Sequence, residues 1–390
     1  MVIEFKDIQS DDFSRHMPLR YYPRAMRIKF KKEFVTPMRA VIDSEYIKKM
    51  DFPNQIKLED YVSIKVKYFN EDDFSSFLRK NGAMKKLSED IGNFMKSSTD
   101  SYLSMLSLRP LYSSIWPNLN QRQFESFMRF LNVAEGGLTT RSLPNIPIDI
   151  EYKTVVNEFC KQYEEYNPVI WLDLKEDPGA FEKRIDVLKL LINEGRLQML
   201  GFNAERFGTA EDYNVNLDYM YSNLMDKEIL LIYEGSNKSF TKRHEGLSKI
   251  HYHPFEVFDV ISPYRFPRGG NNKKLSQLEK INKATFLDPD NVALMPFDSL
   301  GEEKIKKYID KRSKSFIEDI VSKKENSETI NDTEVKSFRS FADIQQVVAG
   351  EREMVNISNS IKKQETFNYL ESKENVEVAV KKRLSNSQLF

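Results

Sequence analysis

Short apolar runs alternate with stretches of helical periodicity through the middle of the chain. Between residues 152 and 261 the apolar positions recur every three or four residues in some stretches and form continuous runs in others. Strands that alternate with helices in this way favour a parallel sheet with right-handed crossovers. We therefore predict an α/β fold, a TIM-barrel-like parallel barrel with a helical C-terminal extension. The predicted helices are 152–166, 180–193 and 215–225, and the predicted strands are 168–174, 197–203, 228–234 and 255–261.

A charged stretch marks the end of this alternation. Residues 302–336 begin with the pattern of an amphipathic helix and pass into a linker rich in Ser, Asn, Glu and Lys. We place a domain boundary there. The sequence then divides into a polar lead-in (1–19), an α/β barrel (20–325), and a linker with a helical extension (326–390).

Four of the predicted strands carry a polar side chain at or near their ends, namely Asp173, Asn203, Glu234 and Asp259. The carboxyl ends of parallel strands lie at one edge of the sheet, which is where α/β barrels form their active sites. Asp259 stands alone in an apolar run, near what we predict to be the carboxyl end of its strand. A buried carboxylate is costly unless it is paired or used, so Asp259 is either a functional group or a structural residue that caps the next loop.

Basic residues follow Asp259 in a loop that also contains two glycines. They are Arg265, Arg268, Lys273 and Lys274, and we predict that they bind phosphates. A second basic stretch, 13–32, lacks acidic residues, includes Arg24 and Arg27, and has aromatic residues between its cations. Cations beside stacking faces suit single-stranded or distorted nucleic acid. The alternative for this stretch is an edge strand with a basic solvent face.

Composition limits the function classes. The 390-residue chain has a formal net charge of zero, so local basic patches are possible but a generally basic surface is not. With Cys160 as its one cysteine and four histidines, the chain predicts no structural zinc, and we expect no metal and no cofactor. We find no nucleotide-binding glycine motif and no apolar run of about 18 residues, and therefore expect a cytoplasmic protein that does not enter membranes.

The segment FDVISPYRFPRGG resembles the active-site segment of the tRNA-guanine transglycosylases, in which an Asp precedes a Pro-Thr-Arg run, further basic residues and a Gly. Tyr264 stands where the family usually has Thr. The segments around residues 154–174 and 230–237, and the tail 341–384, are also similar to parts of these enzymes. The matching residues of the first segment are Phe258, Asp259, Val260, Pro263, Arg265, Arg268 and Gly269.

The sequence departs from the family in two places. A single cysteine cannot supply the three Cys ligands of the family's zinc site, and the Gln-Gly-Gly signature that reads guanine is absent. Asp43-Ser44 resembles the motif that carries the family's second catalytic Asp, but it lacks the glycines. Asp43 is therefore a weak candidate, and we prefer to interpret it as a helix N-cap.

The resemblance implies an enzyme that breaks the N-glycosidic bond of a nucleobase. Asp259 is then the carboxylate that faces the sugar, and Asp173 and Glu234 contact the base or act as general acid. A base that leaves the stack needs a pocket with aromatic groups. The residues we predict to bind it are Phe202, Asn203, Tyr233 and Tyr264.

Loss of the zinc and guanine-reading motifs favours DNA over tRNA as the partner. We expect a DNA glycosylase that excises a modified base, for example a glucosylated cytosine, in antiviral defence. One alternative is a base-exchange transglycosylase on tRNA or DNA. The others are a barrel enzyme acting on a small phosphorylated or sugar substrate, and a non-catalytic nucleic-acid-binding protein.

Overall fold

The structure of the protein is a computed structural model that describes most of the chain. The described residues are 3–11, 23–30, 32–42, 61–69, 81–98, 101–110, 121–135, 138–146, 151–203, 210–236, 257–264, 275–288, 290–291, 293–307 and 311–373.

The strands of the described residues, in chain order, are β1 (Glu4–Ser10), β2 (Arg24–Lys29), β3 (Glu33–Val35), β4 (Met38–Arg39), β5 (Val41–Ile42), β6 (Val62–Phe69), β7 (Leu103–Pro110), β8 (Arg141–Leu143), β9 (Pro168–Asp173), β10 (Met199–Asn203), β11 (Leu230–Ser236), β12 (Val260–Tyr264), β13 (Thr285–Asp288) and β14 (Ala293–Pro296).

The α-helices of the described residues are α1 (Asn81–Ser98), α2 (Gln121–Ala134), α3 (Tyr152–Gln162), α4 (Pro178–Asn193), α5 (Ala210–Leu224), α6 (Gln277–Asn282), α7 (Phe297–Leu300), α8 (Glu302–Lys306), α9 (Lys311–Glu325), α10 (Asp332–Lys363) and α11 (Thr366–Glu371).

A six-stranded sheet with strand order β4-β12-β11-β10-β9-β8 is parallel throughout. A second parallel sheet has the order β5-β6-β7. Ala40 alone separates β4 from β5, and its N–H donates to the carbonyl of Ile261 at 2.9 Å, so residues 38–42 connect the two sheets. The predicted α/β class with a parallel sheet is confirmed.

Hydroxyl groups tie β7 to the residues directly before β8, and β7 and β8 are the outermost strands of the two sheets. The Ser104 N–H donates to Thr139 Oγ1 at 2.8 Å, and Thr140 Oγ1 donates to the Ser104 carbonyl at 3.1 Å. Side-chain oxygens thus satisfy backbone groups of β7 that a neighbouring strand would otherwise pair.

The parallel strands have two faces. One face, which we call the inner face, contributes to a single apolar cluster shared by both sheets. In the six-stranded sheet, the opposite, outer face packs against helices α3, α4 and α5 and the C-terminal part of α10. Such two-sided burial is expected of parallel strands, because helices and a core cover both sides. The inner-face residues are Met38, Ala40, Val62, Ile64, Leu103, Met105, Val169, Trp171, Met199, Leu230, Ile232 and Val260.

An antiparallel sheet of β1, β2 and β3 joins the same inner core. Met26, Ile28 and Phe34 from this sheet pack in the inner cluster. β1 lies within the stretch predicted as a polar lead-in, and its side chains are mostly exposed.

The C-terminal part of the described chain forms a separate apolar cluster around the β13–β14 hairpin. The cluster joins α6 to α9 with the first part of α10, so residues on both sides of the predicted boundary at 325/326 share it. Gln345 of α10 holds the hairpin, because its amide accepts from the N–H of Leu287 and donates to the Leu287 carbonyl, each at 2.9 Å. The division into domains remains a prediction. None of the described helices combines the length and apolarity needed to cross a bilayer.

Candidate functional site

Four polar residues lie side by side on neighbouring parallel strands. Asn203 is in register with Asp173 on one side and with Glu234 on the other, and Glu234 is in register with Ser262. We call these residues the polar row. All are buried, with at most 4% of any residue exposed. Each of them follows, by two positions in its own strand, a residue of the inner face, namely Trp171, Gly201, Ile232 or Val260. Because side chains alternate along a strand, the polar row also lies on the inner face.

The polar row lies toward the carboxyl ends of its strands. Asp173 and Asn203 are the last residues of β9 and β10, and Glu234 lies two residues before the end of β11. Three of the four side chains predicted to share this edge therefore do so. Ser262, which the sequence did not single out, takes the fourth position.

Trp171 forms an apolar layer next to the polar row, one step toward the amino ends of the strands. Its indole N–H donates to the carbonyl of Leu106 on β7 at 3.1 Å. The ring also covers Gly201, where an added Cβ would lie 2.4 Å from Trp171 Cε3. Trp171 was not among the predicted site residues, although Gly201 inside a predicted strand is a signal for the close approach of another group.

Glu234 is bonded across the inner face. Ser107 of β7 donates a hydrogen bond from its Oγ to Glu234 Oε2, and both residues are fully buried. The two strands belong to different sheets and are not paired with each other. Ser107 was not predicted as a site residue, because a single serine in an apolar strand has no distinguishing pattern.

Asp173 and Asn203 differ in how their polar atoms are hydrogen-bonded. Asp173 Oδ1 accepts from the N–H of Lys175 at 2.9 Å, which fixes the carboxylate at the turn after β9. Asn203 Oδ1 is buried and accepts no hydrogen bond from the described residues. A buried acceptor without a donor is destabilising, so this oxygen is suited to receive a donor from a ligand.

A buried network supports the turn that carries Asp173. Arg184 of α4 donates from Nε to Glu176 Oε1 at 2.5 Å, and its guanidinium lies 4.7 Å from the centre of the Tyr152 ring. Asn216 of α5 donates to the carbonyls of Leu174 and Glu176 at 3.1 and 2.9 Å. Burial raises the pKa of Glu176, and Arg184 and Asn145 oppose the rise.

Asp259 does not belong to the polar row. β12 begins at Val260, so the prediction that Asp259 lies near the carboxyl end of its strand is wrong. Its side chain is fully buried beside Arg24, which donates from Nε and Nη2 to Asp259 Oδ1 and Oδ2 at 2.8 and 2.5 Å. The N–H of Leu231, near the amino end of β11, donates to Oδ2 at 2.7 Å. This geometry is that of a structural ion pair at the amino ends of the strands.

Arg24 is committed to this pair and to the backbone. It also donates to the carbonyls of Met225 and Ile229 at 3.1 and 2.6 Å, and it is 1% exposed. Burial raises the pKa of Asp259, and Arg24 and the Leu231 N–H oppose that rise. A side chain in this position cannot reach a phosphate in solution, so the prediction of a phosphate contact for Arg24 is wrong. Arg27 is half-exposed, and its Nε lies 3.5 Å from Glu33 Oε1.

Two of the predicted base-binding residues lie on the outer face. Phe202 and Tyr233 belong to the cluster that packs against the helices, and Phe258 lies between them with ring centroids 6.0 and 4.7 Å away. Side chains alternate along a strand, so both point away from the face that carries Asn203 and Glu234. The prediction that they line a pocket with those residues is wrong.

Several predicted site residues lie outside the described residues. They are Asp43, Arg265, Arg268, Lys273 and Lys274, and the side chain of Tyr264 is not described either. Tyr264 is the last residue of β12 and pairs with Ser236 at the end of β11. The basic segment is therefore attached to the sheet at the edge that carries the polar row.

The fold and the polar row define an α/β protein with a buried acidic and amide cluster toward the carboxyl ends of its parallel strands. Within the part of the chain that the structure describes, no three His, Cys, Asp or Glu side chains come close enough together to hold a metal ion. No protein-family model matches the chain, and no curated protein matches it.

Proposed function

We propose that the parallel strands, with β4 and β5 counted as one strand, close into an eight-stranded α/β barrel and that the polar row is the active site at its carboxyl end. Three features support closure: the shared segment 38–42, the hydroxyl contacts between β7 and the residues directly before β8, and the single inner core. The Ser107–Glu234 hydrogen bond between non-neighbouring strands supports it further, because both side chains must then point into a common interior.

The reaction we propose is cleavage of an N-glycosidic bond in nucleic acid by two carboxylates, Asp173 and Glu234. The observation that carries the proposal is the register that puts one strand, with Asn203, between them. Two strand spacings separate their Cα atoms by roughly 10 Å, and side chains that converge inside a barrel bring the carboxyl groups closer. A pair of carboxylates flanking a glycosidic bond can protonate the leaving group and stabilise an oxocarbenium-like sugar.

The choice of DNA and of a modified base rests on sequence features. The segment with Arg265, Arg268, Lys273 and Lys274 follows β12 at the edge of the polar row and supplies cations for phosphates. The resemblance to the transglycosylases, without their zinc and guanine-reading motifs, favours excision of a modified base such as glucosylated cytosine. In this proposal Asp173 and Glu234 take the role that the sequence alone suggested for Asp259.

A second candidate is a barrel enzyme that acts on a small sugar. The described groups of the polar row are two carboxylates, an amide and a hydroxyl, a set that suits the hydroxyls of a sugar without any phosphate. Retention on a DNA column separates the candidates, because the small-sugar enzyme has no reason to bind DNA.

Base release from DNA tests the principal proposal. Wild-type protein is incubated with glucosylated and with unmodified DNA, and alkali then reveals abasic sites as strand breaks. We expect breaks in the glucosylated DNA, and a loss of two or more orders of magnitude in the Glu234→Gln and Asp173→Asn variants. Asp90→Asn on the outside of the fold serves as the control and should keep wild-type activity. Equal release by folded Glu234→Gln would remove Glu234 from the proposed mechanism.

A further inference from the structure

The hydrogen bond between Ser107 and Glu234 links two strands that have no backbone pairing with each other. Ser107 Oγ is the donor and Glu234 Oε2 the acceptor, and neither residue has exposed surface. A hydroxyl that donates to a carboxylate stabilises the ionised form and restricts rotation of the carboxyl group. In a dry interior such a bond is stronger than at a surface.

The charge of Glu234 also depends on the groups around it. Its neighbours in the polar row, Asn203 and Ser262, are neutral, and Asp173 is two strands away. Lys65 and Lys67 of β6 alternate with the inner-face residues Val62 and Ile64, and Lys67 pairs with Asp90 on the outside. Burial and Asp173 disfavour ionisation of Glu234, while Ser107 favours it. The side chain of Arg109, two positions after Ser107, is not described.

We propose that Ser107 is a positioning residue that keeps Glu234 ionised and oriented for the reaction. This inference rests on the proposed function and assigns the two carboxylates different roles. Glu234 is the ionised group that stabilises the developing positive charge of the sugar or takes a proton from water. The departing base then takes its proton from Asp173, which carries it on Oδ2, the oxygen that does not accept the Lys175 N–H.

The titration of Glu234 tests the inference without any substrate. Protein labelled with ¹³C at the glutamate side-chain carboxyls is titrated by NMR, and the Glu234 signal is identified by its absence in Glu234→Gln. In Ser107→Ala we expect the Glu234 midpoint to rise by about one pH unit, the size expected for losing a hydrogen bond to a charged group. Ser107→Thr keeps the hydroxyl and should restore the wild-type midpoint.

Ser104→Ala is the matched control. Ser104 lies three residues earlier in β7, and its hydroxyl lies beside Thr139, not Glu234. This variant should leave the Glu234 midpoint unchanged even if the protein becomes less stable. An unchanged midpoint in folded Ser107→Ala overturns the inference, whatever the activity.

The pH profile of base release tests the assignment of roles. Because Glu234 must be ionised, its raised midpoint in Ser107→Ala should move the acid limb of the profile to higher pH by the same amount. If the midpoint moves and the acid limb does not, Glu234 is not the ionised group. If wild-type protein releases no base from any DNA, the proposed function fails, while the titration still decides whether Ser107 controls Glu234.

Discussion

Arg24 and Asp259 are 235 residues apart in the sequence and form a fully buried, two-point ion pair at the amino ends of the parallel strands. The pair joins the antiparallel sheet of β1 to β3 to the start of β12. It also ties in the loop before β11, through the Arg24 hydrogen bonds to the Met225 and Ile229 carbonyls. Its role is therefore to fix the amino end of the sheet.

We expect Asp259→Asn to destabilise the protein without changing base release per folded molecule. The variant leaves the Arg24 charge buried without its counter-charge, which typically costs about 3–5 kcal/mol. Urea denaturation measures the loss. Asp90→Asn, which removes a partly exposed partner of Lys67 at 3.0 Å, is the control and should cost about 1 kcal/mol or less. A folded Asp259→Asn variant with wild-type stability and no base release would return Asp259 to the mechanism.

The sequence pattern predicted β9 and β10 well but misplaced the strand predicted at 255–261, which corresponds to β12. β9 and β10 match the predicted 168–174 and 197–203 to within two residues. The apolar run 255–261 predicted a strand around Asp259, but Val257 and Phe258 pack into the outer core before β12 begins. Local periodicity reports burial, and a residue buried just outside a strand gives the same signal as one inside it.

The faces of the strands could not be predicted from the sequence. β9, β10 and β11 are covered on both sides, so their residues are apolar at nearly every position and show no alternation. Phe202 and Asn203 are both buried, and only the packed structure shows that they belong to opposite faces. The hydrogen bonds of Asp259 with Arg24 and of Glu234 with Ser107 could not be predicted either. Each pair is far apart in the sequence, and neither Arg24 nor Ser107 lies in a motif.

We expect Glu135→Gln to be more stable than wild type by a larger margin at pH 8 than at pH 5. Glu135 is buried after α2 and accepts the N–H of Ser142 in β8 at 3.2 Å, and burial raises its pKa from 4.5 to about 8. The folded state thus holds a proton that the unfolded state releases above pH 4.5, and wild-type stability falls as the pH rises toward 8. Glutamine does not titrate and can still accept from Ser142.

The comparison requires unfolding free energies of both proteins at the two pH values. The gain of Glu135→Gln over wild type should grow by a few kcal/mol between them, at about 1.4 kcal/mol per pKa unit. Glu158→Gln, on the exposed side of α3, controls for the general effect of removing a carboxylate. A Glu135→Gln variant whose advantage is the same at both pH values would show that Glu135 is already ionised at pH 5.

We expect Gly201→Ala to destabilise the protein through Trp171. The added Cβ would meet the indole at 2.4 Å, and the ring cannot retreat without losing its hydrogen bond to the Leu106 carbonyl. Overpacking of this kind costs about 1–3 kcal/mol. Gly92→Ala in α1, where no atom lies within 4 Å of the new Cβ, should stabilise by about 0.5–1 kcal/mol. Adding Trp171→Phe to Gly201→Ala should recover part of the loss, and failure to do so would locate the strain elsewhere.

We expect substitution of Asn203 to raise stability and lower activity, whereas substitution of a structural residue lowers stability. Its Oδ1 is buried and accepts no hydrogen bond from the described residues, so the ligand-free protein bears the cost of an unsatisfied acceptor. Leucine has a similar volume and no polar atom, and Asn203→Leu should raise the melting temperature of the ligand-free protein. The same change should lower base release by two or more orders of magnitude, because the substrate loses its acceptor. Asn216→Leu provides the contrast. The Oδ1 of Asn216 also accepts no hydrogen bond from the described residues, but its Nδ2 donates to the Leu174 and Glu176 carbonyls, and the loss of these bonds should lower the melting temperature. Melting curves and base release measured on the same preparations separate the two kinds of asparagine. If Asn203→Leu melts at a lower temperature than wild type, the Asn203 side chain stabilises the ligand-free fold, and its role is not to bind a ligand.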